Sequence, residues 1–250
     1  MQDSIGPRSD MGTAAIESKL YLVGGTDGQQ CLKSGCVIDL TTGESTEIAP
    51  MKSARSNFCL ETIDGKLYAV GGWDGDRALD SVEQYNPQED KWTTLDCMKY
   101  SRRDAKTARV GRYLCVVGGS NNSSDESDTE STSVQRSLEV YNIDTGKWSS
   151  VGEIGILPGQ IDVIKCEGII QDEVHVAVIA NRPSSWDSPG SHLVNGHTWY
   201  WRYSFKTEEW SKLTTEEAKE DTIRSWRCRF YWERYKENHH LPIGLGGLLN

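Results

Sequence analysis

Three segments of this 250-residue chain repeat one another at a fixed interval, and that interval limits the fold more than any other feature. Residues 20–25 read Leu-Tyr-Leu-Val-Gly-Gly, residues 67–72 Leu-Tyr-Ala-Val-Gly-Gly and residues 114–119 Leu-Cys-Val-Val-Gly-Gly. The pairs Gly24/Gly25, Gly71/Gly72 and Gly118/Gly119 therefore recur every 47 residues, and Arg8, Arg55 and Arg102 keep the same spacing, as do Met51 and Met98. A period of this length marks a chain assembled from supersecondary units, none of which can bury its apolar face alone. Three apolar residues closed by two glycines read as a buried strand that stops where backbones pass too closely for a Cβ.

A second element follows each glycine pair. Tyr85 and Trp92, Tyr141 and Trp148, and Tyr203 and Trp210 are each seven residues apart and enclose a polar turn containing Asp, Gly or Pro. That is the pattern of a hairpin whose first strand ends at Tyr and whose return strand opens at Trp. Ile38–Ser45 holds the same place in the first repeat without the aromatics. Each repeat thus carries about four strands, the content of one propeller blade. The abundance of glycine (24) and tryptophan (9) beside only 3 phenylalanines agrees with an all-β chain rich in turns.

An apolar strand, a glycine pair, then Tyr and Trp, at a period near fifty, resemble the Kelch repeat. The resemblance implies a Kelch-type β-propeller, of six blades in similar domains. About four blades are present here, at residues 5–53, 54–100 and 101–157 and, in degenerate form, 158–213. The stretch from Met51 to Gly72 is especially similar to Kelch-like proteins of the BTB–BACK–Kelch type, whose propeller captures a substrate for a cullin-RING ubiquitin ligase. The chain begins inside a repeat, with Pro7-Arg8-Ser9 at the place of Ala54-Arg55-Ser56, so it reads as lacking an N-terminal portion. BTB and BACK domains, which would engage the cullin, are absent from these residues.

The pattern bends in three places. Gly119 to Trp148 is 29 residues where Gly72 to Trp92 is 20, and the excess falls in the serine-rich, acidic run 120–133, expected to be a solvated loop. In the fourth repeat Val174–Ile179 is the expected counterpart of the glycine-preceding strand, with Ala180 and Asn181 in place of the glycines, followed by an irregular loop at 182–190. Residues 214–250 leave the repeat and form a non-Kelch tail. Within it 215–236 has the charge pattern of a helix, with acidic residues in its first turn. Its interleaved aromatics and arginines form no clean stripe, which favours packing over an RNA- or membrane-binding role.

By resemblance, the loops after each glycine pair and the residues beyond each register arginine converge on a partner-binding face. In this sequence those residues are Asp27, Trp73, Asp74, Arg77, Ser120, Asn121 and Asn122, with Asp10, Asn57 and Asp104. In some ligase adaptors arginines occupy the last three places and hold acidic peptides. Asp, Asn and Asp here imply a basic or neutral partner instead. Arg8, Arg55 and Arg102 are expected to satisfy backbone carbonyls or carboxylates between blades. The Tyr and Trp residues of the hairpins are expected in blade packing, whereas Trp73, just past a glycine pair, is placed to anchor a partner.

Other function classes find little support. A net charge of −10 and a pI near 5.0 argue against binding to nucleic acid or to an acidic membrane surface. No apolar run approaches the ~20 residues of a membrane helix. Seven scattered cysteines, with no CxxC pair and no secretory leader, read as reduced thiols of a cytoplasmic protein. Cys31 and Cys36 lie far from the histidines and form no zinc spacing, so neither metal nor cofactor is expected. Copper oxidases resembling galactose oxidase also use Kelch blades, but the required copper ligands and cross-linking cysteine have no matching pattern here. A nucleophile elbow and a phosphate loop are also lacking, and Asp172 with His175 reads as a surface pair. A non-enzymatic module for a protein partner is the expectation, with actin the alternative partner.

Overall fold

The structure, a computed structural model, describes residues 6–121, 137–153, 161–170, 173–180 and 197–213. These form four antiparallel sheets of four strands each. Blade 1 holds β1 (Gly12–Ile16), β2 (Lys19–Val23), β3 (Gly35–Asp39) and β4 (Ser45–Ile48). Blade 2 holds β5 (Cys59–Ile63), β6 (Lys66–Val70), β7 (Val82–Asn86) and β8 (Lys91–Thr94). Blade 3 holds β9 (Lys106–Val110), β10 (Tyr113–Val117), β11 (Ser137–Asn142) and β12 (Lys147–Glu153). Blade 4 holds β13 (Ile161–Ile170), β14 (Glu173–Ala180), β15 (His197–Ser204) and β16 (Glu209–Leu213). The first strands touch in succession, β1 to β5 to β9 to β13, and so line the inner side, as in a propeller. Among the described residues the blades form an arc in which no strand of blade 1 meets blade 4.

Each Tyr–Trp hairpin forms as its turn chemistry dictates. Tyr85 pairs with Trp92, Tyr141 with Trp148 and Tyr203 with Trp210, the rings 5.1, 5.1 and 5.4 Å apart. Asp90, at φ 46°, closes the blade 2 turn, accepting hydrogen bonds from Tyr85 Oη at 2.7 Å and the Ala49 N–H at 2.8 Å. Each indole then ties its blade to the previous one, at its last strand or just beyond it. Trp92, Trp148 and Trp210 donate Nε1–H to the carbonyls of Ala49, Asp96 and Val151 at 2.9, 2.8 and 3.4 Å.

Packing joins blades face to face. Tyr21, Val23 and the connector residue Met51 meet Leu67, Ala69 and Tyr85 of the next blade. Tyr68, Val70 and Met98 meet Leu114, Val116 and Tyr141 in the same way. Burying each of these large side chains contributes roughly 1.5–3 kcal/mol, which no isolated blade could collect. The fourth blade departs in length: β13 has 10 residues and β14 has 8, against five in their counterparts. Val174–Ile179 lies in β14, where the repeat pattern expects a strand. Asn122, most of the serine-rich run, Asn181, the 182–190 loop and the expected helix at 215–236 fall outside the described residues.

Candidate functional site

The glycine pairs and the register arginines build one joint repeated at three places. A Cβ on Gly71 would stand 2.5 Å from the Arg102 carbonyl, and one on Gly24 would stand 2.6 Å from that of Arg55; both glycines have positive φ. The passing connector therefore requires glycine. It is held by backbone bonds from Gly25 N–H to Arg55 O at 2.7 Å and from Gly72 N–H to Arg102 O at 2.9 Å.

The arginine side chain locks this joint from within. Arg55, wholly buried, donates Nη1 to the carbonyls of Gly71 and Ser81 at 2.8 and 2.9 Å and Nη2 to Ser81 Oγ and Glu83 Oε1 at 3.0 and 2.9 Å. Arg102 repeats the set with Gly118, Ser137 and Glu139. Burial pulls the Arg102 guanidinium below its usual range, and the Glu139 carboxylate opposes that pull. Arg8 reaches Gly24 and Ser34 alike, but Cys36 stands where the other blades have glutamate. Glu83 and Glu139 were not singled out from sequence. Ser34, Ser81 and Ser137, two residues before Cys36, Glu83 and Glu139, were the available signal.

One residue beyond each arginine, the chain joins the strand end past the glycine pair. Ser9 bridges Thr26, Ser56 bridges Trp73 and Arg103 bridges Ser120. Two residues beyond, Asp10, Asn57 and Asp104 all sit in the left-handed region, at φ 53°, 50° and 57°. Asn and Asp tolerate that conformation better than other non-glycine residues. They link blade to blade, Asn57 N–H to Asp10 O at 3.0 Å and Asp104 N–H to Asn57 O at 2.9 Å, with Asn57 Nδ2 donating to Asp104 Oδ1 at 3.0 Å. These positions, expected to face a partner, therefore also form a backbone belt, while the side chains of Asp10 and Asp104 remain exposed.

The loops outside this belt are shaped by their own carboxylates. Asp27 Oδ1 accepts the N–H groups of Gln29 and Gln30, both at 2.9 Å, and those bonds hold its carboxyl below the usual range. Asp74 Oδ1 accepts from Asp76 and Arg77 at 2.8 and 2.9 Å. Asx turns of this kind fix loop shape locally. Arg77 is left projecting, and Asn121 is exposed beside half-buried Ser120. Trp73 is half-buried beneath Arg103, whose guanidinium carbon lies 4.8 Å from the ring centroid. Arg103 was not among the residues expected at this face; it breaks a series that reads Ser9 and Ser56 at the equivalent positions.

One end of the blades thus collects Asp10, Asp27, Asp74, Asp76 and Asp104 with Arg77, Arg103 and Trp73. Among the described residues no group of three or more His, Cys, Asp or Glu side chains is gathered as a metal ion would need, and no helix is long and apolar enough to cross a membrane.

Comparison with known proteins follows the same lines. The profile of the KLHDC2/KLHL20/DRC7 Kelch-repeats domain matches residues 1–177. The chain is similar to Kelch-like protein 40 of Mus musculus, 29% identical over 133 residues that cover 53% of this chain and 21% of that protein. It is also similar to Kelch-like protein 40 of Xenopus tropicalis, 24% identical over 136 residues covering 54% of this chain and 22% of the relative. The matches thus span only about a fifth of the length of those relatives. Among solved structures, that of YjhT superposes with a TM-score of 0.59 at 17% identity, covering 84% of this chain and 66% of that one, a likeness of fold.

Proposed function

Because this chain belongs to the Kelch-repeat family, we propose that it is a non-enzymatic protein-binding module that grips its partner with the loops following the glycine pairs. The carrying observation is the Trp73–Arg103 stack, set between exposed Arg77, Asp10 and Asp104 on a belt of interblade backbone bonds. A half-buried aromatic on a rigid frame is what a binding hot spot requires, because little side-chain freedom is lost on association. Five carboxylates against two arginines on this face favour a basic or neutral partner segment.

The finer reading follows the relatives. As part of a Kelch-like protein, the module would present substrates to a cullin-RING ubiquitin ligase in the cytoplasm, with the cullin held by BTB and BACK domains outside these residues. Support for this is the similarity to Kelch-like protein 40.

Affinity purification of the tagged chain, alone and extended upstream along its transcript, tests both levels. A cullin recovered only with the extended form, and other partners shared by both forms, is the expected result. Replacing Trp73, Arg77 and Arg103 together with alanine should abolish capture of the shared partners with the thermal melt nearly unchanged. Asn57 is spared because it belongs to the belt. Unimpaired capture by that variant would move the site elsewhere, and recovery of actin-associated proteins alone would replace the ligase reading with a cytoskeletal one.

A further inference from the structure

One segment of the tail reverses the charge of the chain. From Arg224 to Lys236 stand five basic residues against the single acid Glu233, a net charge of +4 in a chain of −10. Interleaved with them are Trp226, Phe230, Tyr231, Trp232 and Tyr235. The glycine-loop face is the complement of this segment, with five carboxylates against two arginines and the Trp73 ring half-buried among them. Asp10, Asp76 and Asp104 are exposed there.

The last described strand delivers the chain to that same end of the blades. β16 runs from the turn pair Ser204–Glu209 to Leu213, parallel to β14, and so finishes at the end where β2, β6 and β10 place their glycine pairs. At this end the earlier blades pass the chain to the belt over a short distance: Asn57 follows Ile48, the last residue of β4, by nine residues, and Asp104 follows Thr94 of β8 by ten. Residues 214–223 place ten residues between Leu213 and Arg224, a connector of the same length with a reach of up to about 33 Å. The thirteen residues 224–236 are then long enough to extend across neighbouring blade ends.

We propose that residues 224–236 dock on the glycine-loop face of their own chain and occupy it until a partner displaces them. This regulation rests on that face being the binding site, as put forward above. Arginines of the segment pair with the carboxylates of Asp10, Asp76 and Asp104, and one of its aromatic rings adds to the Trp73–Arg103 stack. Exposed ion pairs are individually weak. The tether makes several of them sufficient, because the contact is intramolecular and the effective concentration is on the order of millimolar. A partner that competes for the face carries the same chemistry, basic side chains spaced by aromatic ones.

Carbodiimide coupling of the whole chain, mapped by peptide mass spectrometry, reads this docking without any partner. Lys236 should form amide links to Asp10, Asp76 or Asp104, and a mixture of isotope-labelled and unlabelled protein should show them within one chain. Replacing Arg227, Arg229 and Arg234 together with glutamate should lower their yield by about tenfold or more and raise capture of partners severalfold. Should that variant not fold, Asp10→Asn with Asp104→Asn removes two charges from the face and keeps a residue that suits the left-handed backbone, as Asn57 does; the link to Asp76 should then fall alike. Links from Lys236 to other surfaces, links between copies alone, or a yield unmoved by the charge changes overturn the proposal. Partner capture that is lost in the Trp73, Arg77 and Arg103 variant, with no link in the parent chain, overturns the docked tail and leaves the partner site standing. Capture retained in that variant, with the links in place, overturns the partner site and the displacement with it.

Discussion

Arg102 donates Nη2 to Glu139 Oε1 at 2.7 Å with both side chains buried, and the same carboxylate takes the N–H groups of Lys99 at 2.5 Å and Tyr100 at 3.2 Å. Glu139 thus fastens a connector to the arginine that the connector itself carries, as Glu83 does for Arg55 through Lys52 and Ser53. Removing one member strands an unpaired charge in a dry interior. Glu139→Ala and Glu83→Ala should each cost about 3–5 kcal/mol by urea unfolding. Arg8→Ala should cost clearly less, because Arg8 is only part-buried and faces Cys36 instead of a carboxylate.

The glycines divide into two classes. Gly28 has φ +90° and nothing within 4 Å of an added Cβ, whereas Gly71 has φ +61° and the Arg102 carbonyl at 2.5 Å. Gly28→Ala should cost about 1 kcal/mol from backbone strain alone. Gly71→Ala adds a clash with backbone that cannot swing aside, and should cost about 3 kcal/mol or more. Equal losses in chemical denaturation would deny the connector its role in selecting glycine.

The thiols should respond to pH and to alkylation in a graded way. Burial pushes the Cys59 thiol up to about 11, and its Sγ donates to the Ala105 carbonyl at 3.0 Å. A group whose folded value lies above its unfolded one contributes stability that is complete below the ordinary thiol range of about 8.5 and is lost as pH rises through the folded value. The urea midpoint should therefore fall as pH climbs from about 8.5 towards 11, and Cys59→Ala should flatten that fall. At pH near 8, iodoacetamide should label exposed Cys97 while Cys36, Cys59 and Cys115 stay protected, as peptide mass spectrometry would read.

Much of the fold was legible because its information is local and repeated. An apolar strand before two glycines, and a turn between Tyr and Trp, each lie within about ten residues, and copies 47 apart reinforce one another. Arg8, Arg55 and Arg102 were expected to satisfy carbonyls and carboxylates between blades because they recur with the blade, and each does donate to carbonyls of its own repeat. The partner of each arginine was harder to see, since Glu83 lies 28 residues from Arg55 and Glu139 lies 37 from Arg102 across the serine-rich insertion.

The sequence by itself determined the blade, its four strands and its aromatic hairpin, because turn propensity and strand alternation act between near neighbours. Only the tertiary structure decided what happens where blades meet. It linked Asp10, Asn57 and Asp104 into a belt, laid Arg103 over Trp73, and stacked Tyr113 on Phe205. Each of these pairings joins neighbouring blades, and the angle and spacing at which sheets pack come from the summed contacts of whole faces. No short stretch of chain carries that information.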